Sequence, residues 1–355
     1  MNYQLLVQKI SNAYNNKIPF VVYSLAESEE LMCYLQNDAK NHISDDYSGE
    51  GFIFAPFDNK ENAFIIPSLA SEIIKVDLPY SEISFPFVPI IEDSKGEAIH
   101  SNVLKSTLEE IQTGRLKKVV ISRKKEFHLV HFNLEKLLER ILATDSSAFR
   151  YVWYHPKTGL WCGASPEVLL KSDGNAFYTM ALAGTQKFKE GENVFWTQKE
   201  RDEQKIVTQM LMDHLENMAV VLKVSKTYNR RAGSLLHICT DVSGTFKKSH
   251  AHLKDVIAIL HPTPAVCGTP KEEAKKYILD HEDYHRSYYT GFLGTISTGE
   301  RKSDLYVNLR CMHIEEEKAT LFVGGGITKD SQVNNEWKET QNKLQTMLQV
   351  LEPML

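Results

Sequence analysis

The hydrophobic pattern of the chain predicts many short strands. Apolar runs rich in β-branched and aromatic residues, several with period-two alternation, are separated by turn residues. In the larger part of the chain the predicted strands are 116–121, 149–154, 160–164, 168–172, 176–182, 235–240, 291–297, 305–313 and 320–323.

Longer segments have apolar residues spaced as on one face of a helix. The predicted helices are 99–111, 134–143, 193–222 and 334–351. The N-terminal region predicts a short helix and then strands at 20–24, 51–55 and 63–67, with prolines at its end. We therefore expect an N-terminal α/β part, 1–95, that supplies edge strands and packs on a larger part, 96–355.

Strict βαβ alternation is missing from this order of elements. The chain also has no GxGxxG and no GxxxxGK[ST] loop, which disfavours dinucleotide-binding and P-loop folds. The pattern indicates an α+β fold with large antiparallel sheets, a sandwich-like core and surrounding helices in one large domain.

Composition narrows the class of protein. The 355 residues are 42% hydrophobic and 25% charged, as in an ordinary globular protein. The net charge of −5 argues against a nucleic-acid partner. No segment reaches the roughly 18 apolar residues of a membrane span, and the polar start has no signal-peptide pattern. We expect a cytoplasmic protein without a membrane partner.

The cysteines are odd in number and widely spaced, without a metal-binding spacing. They are Cys33, Cys162, Cys239, Cys267 and Cys311. We expect buried, reduced thiols.

Near the C-terminus, the string GGGITKDSQVNNEWKETQNKL contains several residues that could bind a ligand or a metal ion. Glu336, Glu339 and Lys343 project from roughly one helix face, since they lie at i, i+3 and i+7. The glycines at 324–326 are predicted to form a turn just upstream. Together these groups could hold a divalent cation and a small anionic substrate. On one helix alone, a solvated face with ion pairs is the commoner outcome.

Two further side chains are candidates for proton transfer. Lys118 stands at the start of a β-branched strand, where a lysine that loses its hydration becomes a usable general base. Glu167 follows Ser165–Pro166 between two strands, and a carboxyl among apolar residues has a raised pKa and can donate a proton. A lysine that reaches solvent and a turn glutamate facing water are the alternatives.

Other polar and charged residues become candidates for the site when they are considered together with those above. Glu200 and Glu203 begin a long helix, where they complement its dipole or, with Glu339, bind magnesium. Arg310 is predicted within a strand, where an arginine usually serves a carboxylate. His237 either orients a base or is a core histidine whose hydrogen bonds are made within the protein.

These strings resemble, in order and spacing, the chorismate-utilising enzymes: isochorismate, salicylate, anthranilate and aminodeoxychorismate synthases. The resemblance spans 99–351 and rests on KKVVISR, GASPE, LAGT, KERDEQ, HPTPAVCGTP, RSYYTGFLG, LRC and GGGI…EWKETQNK. It implies the fold of anthranilate synthase component I, Mg²⁺ as cofactor, and chorismate and isochorismate as ligands.

Within the family, two positions separate the chemistries. Lys118 matches the lysine with which isochorismate and salicylate synthases activate water. Ala183 of the ALAGT string stands where aminodeoxychorismate synthases carry a nucleophilic lysine. The resemblance therefore implies an isochorismate synthase without an amidotransferase subunit, as a monomer, in menaquinone or siderophore biosynthesis. Salicylate synthase and a non-catalytic chorismate-binding paralogue are the alternatives.

The resemblance also implies a role for each site residue. Lys118 is the base, Glu167 the acid, Glu203 and Glu339 the magnesium ligands, and Glu336 and Glu200 their neighbours. The implied substrate-binding residues are Gly184, Thr185, His237, Ala265, Tyr289, Arg310, Gly324 and Lys343.

Overall fold

Two nine-stranded antiparallel sheets pack face to face in the structure, which is a computed structural model. It describes residues 2–79, 82–91, 94–188, 190–191, 194–233, 235–247 and 252–355.

The first sheet has the order β14-β6-β18-β17-β8-β7-β1-β2-β5. Its strands are β1 (Phe20–Ser24), β2 (Glu30–Gln36), β5 (Ser71–Asp77), β6 (Lys118–His128), β7 (Phe149–His155), β8 (Gly159–Ser165), β14 (Gly268–Thr269), β17 (Cys311–Glu315) and β18 (Lys318–Ile327). 

The second sheet has the order β11-β13-β10-β9-β16-β15-β3-β4, and β12 also pairs with β13. Its strands are β3 (Glu50–Ala55), β4 (Phe64–Pro67), β9 (Val168–Asp173), β10 (Ala176–Lys187), β11 (Ala219–Val224), β12 (Tyr228–Ala232), β13 (Leu235–Phe246), β15 (Phe292–Ser297) and β16 (Lys302–Val307).

An aromatic core fills the space between the sheets. Phe149 of β7 stacks on Tyr306 of β16 with ring centroids 4.2 Å apart, and Phe54 of β3 lies 5.1 Å from Trp153 of β7. Burial of such large side chains is a major source of stability. The sandwich-like core predicted from the strand pattern is confirmed.

Helices cover the outer faces of the two sheets. They are α1 (Tyr3–Asn15), α2 (Ser94–Gln112), α3 (Leu134–Leu142), α4 (Gln198–Glu216), α5 (Leu253–Leu260), α6 (Lys271–His281) and α7 (Val333–Leu351). One apolar cluster joins α1, α3 and α7 to the first sheet, and another joins α4 and α5 to the second. Among the described helices, none is long and apolar enough to cross a membrane. The five cysteines are free and buried, as expected.

The predicted helix 193–222 is too long at both ends, because the described residues 194–197 precede α4, which begins at Gln198. The described helix α4 ends at Glu216, and the chain then enters β11 at the edge of the second sheet. The run Ala-Val-Val-Leu explains this, because β-branched residues favour a strand. Asn193 lies outside the described residues.

Two predicted local structures near the site also differ. The predicted strand 305–313 is two strands, β16 and β17, and Arg310 lies between them with φ +46°. The glycines at 324–326 belong to β18 and pair with Val120–Ser122 of β6, so they do not form a turn. Gly184 lies in a β-bulge of β10, with φ +72°.

Strands from the N-terminal region are built into both sheets. β1 lies inside the first sheet, between β7 and β2, whereas β5 and β4 are end strands. The division into an N-terminal part, 1–95, and a larger part, 96–355, stays a prediction.

Candidate active site

A cleft opens where the ends of β10 and β18 approach helices α4 and α7. It encloses about 680 Å³, including its open mouth. Its walls include Glu167, Leu182–Thr185, Glu203, His237, Ala265, Val266, Tyr289, Arg310, Phe322–Gly324, Gly326, Glu339 and Lys343. The cleft therefore gathers eleven of the fourteen sequence-predicted site residues, and the other three, Lys118, Glu200 and Glu336, lie close by.

Lys118 lies just behind the wall of this cleft. It is the first residue of β6 and is fully buried. Its Nζ lies 3.0 Å from Glu203 Oε1, yet within the described part of the chain it forms no hydrogen bond. A Cβ at Gly326 would overlap Glu203 Oε1 and lie 2.9 Å from Lys118 Cε. The glycine therefore leaves the space that these two side chains occupy.

Glu167 is buried at the turn from β8 to β9. Its side chain accepts a hydrogen bond of 3.3 Å from Thr263 Oγ1, and its backbone carbonyl accepts one from the amide of Val307. Burial raises the pKa of Glu167 to about 7, although Thr263 and the charge of Lys118 act in the opposite direction. A carboxyl with this pKa is partly protonated at neutral pH and can act as a proton donor.

Three carboxylates beside the cleft are each paired with a lysine. Besides the Lys118–Glu203 contact, Lys199 Nζ lies 2.6 Å from Glu336 Oε1, and Lys343 Nζ lies 2.6 Å from Glu339 Oε1. The second oxygen of Glu336 is buried and has no hydrogen-bond partner in the described ranges. Three glutamates and three lysines thus alternate in a small, partly buried cluster.

The two α7 carboxylates differ in pKa. Burial raises the pKa of Glu336, with the neighbouring charge of Glu339 adding to the rise. Burial would also raise the pKa of Glu339, but Lys343 and Lys199 lower it below its usual value. Glu339 is therefore the more firmly ionised of the pair.

The oxygen donors suit a hard divalent cation such as Mg²⁺ in chemical type. The unpartnered Oε2 of Glu336 is consistent with a ligand-binding role. However, no three His, Cys, Asp or Glu side chains of the described residues are placed to hold one metal ion together in this conformation. The lysines occupy these carboxylates instead.

Glu200 has a structural contact of its own. Its Oε2 accepts hydrogen bonds from the amide and the hydroxyl of Thr197, which forms a capping box at the start of α4. Its Cβ faces Gly184, and the residue lines an outer cleft together with Lys199, Glu336 and Glu339. The structure thus places Glu200 beside the carboxylates, with its own carboxylate engaged at the helix end.

Arg310, with neutral His237 beside it, forms a cationic part of the cleft. His237 Nδ1 lies 2.9 Å from the carbonyl of Gly184, to which it donates, so Nε2 is the acceptor for Arg310 Nη2 at 3.4 Å. Burial and the charge of Arg310 lower the pKa of His237 to about 3, so it is neutral at pH 7. Arg310 Nη1 is buried and has no hydrogen-bond partner among the described residues. It is a donor that a bound anion could satisfy.

The remaining predicted residues lie around these groups. Lys343 Nζ donates to the carbonyl of Gly324 at 2.8 Å, and Tyr289 OH is the neighbour that a Cβ at Gly324 would meet at 3.2 Å. Thr185 Oγ1 lies 3.3 Å from His237 Nδ1. Ala265 lines the cleft wall.

Sequence reasoning missed two polar residues of the site. Lys199 precedes Glu200 and lies four residues before Glu203, so the i,i+4 spacing on α4 could have indicated it. Thr263, the partner of Glu167, stands between two prolines in a loop where only its polarity was a signal.

The fold and the cleft define a class of protein. Residues 85–352 match the family model described as chorismate binding enzyme, and the chain belongs to this family.

Particular relatives narrow the comparison. The chain is 31% identical over 223 residues to the isochorismate synthase EntC of Escherichia coli, which covers 60% of this chain and 56% of that protein. It is 27% identical over 365 residues to the vibriobactin-specific isochorismate synthase of Vibrio cholerae, covering 98% of this chain and 89% of that protein. The matched segment is thus just over half of EntC.

Solved structures show the same fold. DhbC from Bacillus anthracis superposes with a TM-score of 0.82 at 22% identity, covering 98% of this chain and 99% of that one. Anthranilate synthase component I from Streptococcus pneumoniae gives a TM-score of 0.67 at 19% identity, covering 92% and 90%. The predicted α+β fold is confirmed.

Proposed function

We propose that this chain is an isochorismate synthase that interconverts chorismate and isochorismate. The observation that carries the proposal is a buried carboxyl, Glu167, in the wall of the cleft and a buried amine, Lys118, just behind that wall. The relatives named as isochorismate synthases support the choice of reaction within the family.

Lys118 is the proposed general base. In its neutral form Nζ takes a proton from a water molecule as that oxygen bonds to C2 of chorismate. The ring double bonds then shift and the bond from C4 to its hydroxyl breaks. The contact with Glu203 holds Nζ beside the cleft until the substrate is bound.

Glu167 is the proposed general acid. Hydroxide is a poor leaving group, so a proton donated to the C4 oxygen as it departs contributes on the order of 10²–10⁴ in rate. The pKa of about 7 supports this role, since part of the population carries the required proton at neutral pH. The reaction moves a hydroxyl group without net oxidation, so it needs no redox cofactor and runs in both directions.

The cationic side of the cleft is the proposed site for the enolpyruvyl carboxylate. Arg310 presents the unpartnered Nη1, and Lys343, Tyr289 and the backbone of Gly324 lie nearby. A charge-assisted hydrogen bond to an otherwise unpaired guanidinium nitrogen favours a bound carboxylate. Neutral His237, fixed by Gly184, keeps Arg310 in place, and Ala265 leaves room for the ring.

We propose Mg²⁺ as the cofactor, held by Glu203 and Glu339 with Glu336 and Glu200 beside them. When bound, it would supply positive charge for the ring carboxylate of chorismate. The oxygen-only donor set and the unpartnered Oε2 of Glu336 support this assignment. Because lysines now contact Glu203, Glu336 and Glu339, magnesium binding requires some of these contacts to break.

The test is an incubation of the purified chain with chorismate and Mg²⁺, followed by chromatography of the products. We expect an equilibrium mixture of chorismate and isochorismate, and loss of turnover with excess EDTA. Pyruvate and fluorescent salicylate would identify a salicylate synthase instead, and unchanged chorismate would contradict the proposal. We expect the product to enter menaquinone or siderophore biosynthesis.

A further inference from the structure

Lys199 is a partly buried cation for which the proposed reaction has no use. Its side chain is 18% exposed, and its Nζ donates to Glu336 Oε1 at 2.6 Å, while the Glu336 side chain is 3% exposed. This is its one hydrogen bond within the described ranges. Lys118 and Lys343, by contrast, have proposed roles as the general base and in binding the substrate.

The position of Lys199 on its helix is unfavourable by itself. It is the second residue of α4, and the N-terminal end of a helix carries partial positive charge that favours acidic residues there. The lysine is therefore placed against the helix dipole. The attraction that compensates comes from the glutamates, because Glu336, Glu203 and Glu339 all raise the pKa of Lys199 against the effect of burial.

The carboxylates around Lys199 need a cation. A Cβ at Gly325 would lie 3.3 Å from Glu336 Oε2 and 3.9 Å from Glu339 Oε1, so both carboxylates face the same point of β18. Like charges held this close repel one another in a partly buried site. Lys199 reduces the repulsion, and without it Glu336 would be a buried carboxylate lacking its ion-pair partner.

We propose that Lys199 is a resident cation of this cluster, which holds Glu336 in the metal-free chain and is displaced when a divalent cation binds the carboxylates. The inference rests on the proposed magnesium site and adds to it a positioning residue that sets metal affinity. Lys199 and a divalent cation would compete for the carboxylate of Glu336, because two cations held at one buried carboxylate repel each other.

Lys199 has room to leave the carboxylates. It lines the outer cleft, with Glu200, Lys338 and Asn342, and a lysine side chain reaches such a solvated space by rotation about its single bonds. Lys118 is fully buried and lacks this freedom. The outward movement restores hydration to the ammonium as the metal replaces it.

The experiment measures Mg²⁺ binding by isothermal titration calorimetry, with Mn²⁺ and electron paramagnetic resonance as a second probe. Lys199→Met keeps the length of the side chain and removes the charge, Lys199→Arg keeps the charge, and Lys338→Met removes an exposed charge from the same outer cleft. Circular dichroism verifies that each variant is folded.

We expect Lys199→Met to bind Mg²⁺ at least about fivefold more tightly than the unaltered chain, the lower end of usual coupling between two ligands. Lys199→Arg should bind no more tightly than the unaltered chain, and Lys338→Met should change the affinity less than twofold. The metal-free Lys199→Met variant should also unfold at a lower temperature, and Mg²⁺ should remove that difference.

Equal or weaker Mg²⁺ binding by Lys199→Met would overturn the proposal, as would the absence of binding in every variant. A loss of stability that Mg²⁺ does not remove would show a purely structural lysine and also count against it. Turnover of chorismate by the unaltered chain is measured separately. Failure of that turnover with tighter Mg²⁺ binding by Lys199→Met would contradict the proposed reaction and leave the lysine's role supported.

Discussion

Lys118 and Glu167 are the two side chains on which the proposed chemistry depends, and each is buried for a different structural reason. Lys118 enters the interior as the first residue of β6, and it faces Glu203. Glu167 is held at a turn between two strands of different sheets, where Thr263 is its side-chain partner. Lys118 is therefore an amine beside a carboxylate, whereas Glu167 is a carboxyl in a largely apolar environment.

The pH dependence of turnover should report Glu167. A general acid must be protonated, so kcat/KM should fall as pH rises through about 7, the pKa to which burial raises this carboxyl. Glu167→Gln should lower kcat about 10²–10⁴-fold without unfolding the chain. Initial rates from pH 5 to 9 give the profile.

Thr263→Val provides the control for this profile. The hydroxyl of Thr263 stabilises the ionised carboxylate, so its removal should raise the pKa of Glu167 and move the alkaline limb to higher pH. Thr263→Ser should restore the original limb. An alkaline limb that stays in place in Thr263→Val would contradict the assignment of this limb to Glu167.

Gly326 offers a test of the space beside the base. A methyl group at Gly326 would overlap Glu203 Oε1 and lie 2.9 Å from Lys118 Cε, so the ends of these side chains would be displaced. We therefore expect Gly326→Ala to lose at least about 10²-fold in kcat/KM, as for loss of a catalytic base, with a change in Tm of only a few degrees.

The matched control is Gly299→Ala, where an added Cβ meets no atom within 4 Å. It should retain the activity of the unaltered chain. Full activity of Gly326→Ala in the same assay would show that displacing these two side chains has no consequence for turnover.

At the scale of elements, one buried arginine joins three segments of the site. Arg286 pairs with both oxygens of Glu282, at 2.6 and 2.7 Å, and also donates to the carbonyls of Val120 and Val266. The segment before β15, the strand β6 and the loop behind Ala265 are thereby fixed to one another. This clamp positions the wall of the cleft although Arg286 does not line it.

Removal of this arginine should destabilise the whole chain. Arg286→Met leaves Glu282 as a buried carboxylate without its cation, which costs about 3–5 kcal/mol. The double variant Arg286→Met with Glu282→Gln should recover part of that loss, because no unpaired charge remains. Urea denaturation followed by circular dichroism measures both, and an unchanged midpoint for Arg286→Met would contradict the clamp.

The sequence predicted elements well where the apolar pattern was strong, as in α3, α7 and the strands β7 to β9. It failed where local signals conflicted with long-range pairing. Three successive glycines usually indicate a turn, but here they form a strand because β6 supplies hydrogen bonds and the neighbouring carboxylates need the space. Register across a sheet of nine strands cannot be obtained from a local window of sequence.

The same distinction applies to the site residues. Glu167 and Lys118 stand in distinctive strings, so sequence alone indicated them. The partnerships Lys199–Glu336 and Thr263–Glu167 join residues 137 and 96 positions apart, and only folding brings them together. Glu200 shows a second limit of sequence reasoning. A glutamate in a capping box and a glutamate that binds a metal look alike in the sequence of a helix start.

At the scale of the whole molecule, the N-terminal strands are structural members of both sheets. β1 pairs along its length with β7, and β3 pairs with β15. Their removal would expose the aromatic core that lies between the sheets. The N-terminal strands therefore matter for whether residues 96–355 can fold without them.

We expect a chain that starts at residue 82 to be unable to fold cooperatively, because it lacks β1 to β5 and exposes their apolar neighbours to water. Solubility, near-ultraviolet circular dichroism and the thermal transition would measure this. A soluble, cooperatively unfolding fragment would instead support an independent domain, and the intact chain is the control.

The most direct test of the account is the Lys118→Ala variant, assayed for chorismate binding by calorimetry and for turnover by product chromatography. The account predicts Mg²⁺-dependent binding of chorismate close to that of the unaltered chain, with turnover reduced to background because no base remains to activate water. Turnover at the rate of the unaltered chain would contradict it, since the reaction would then proceed without the amine at the centre of the proposed mechanism.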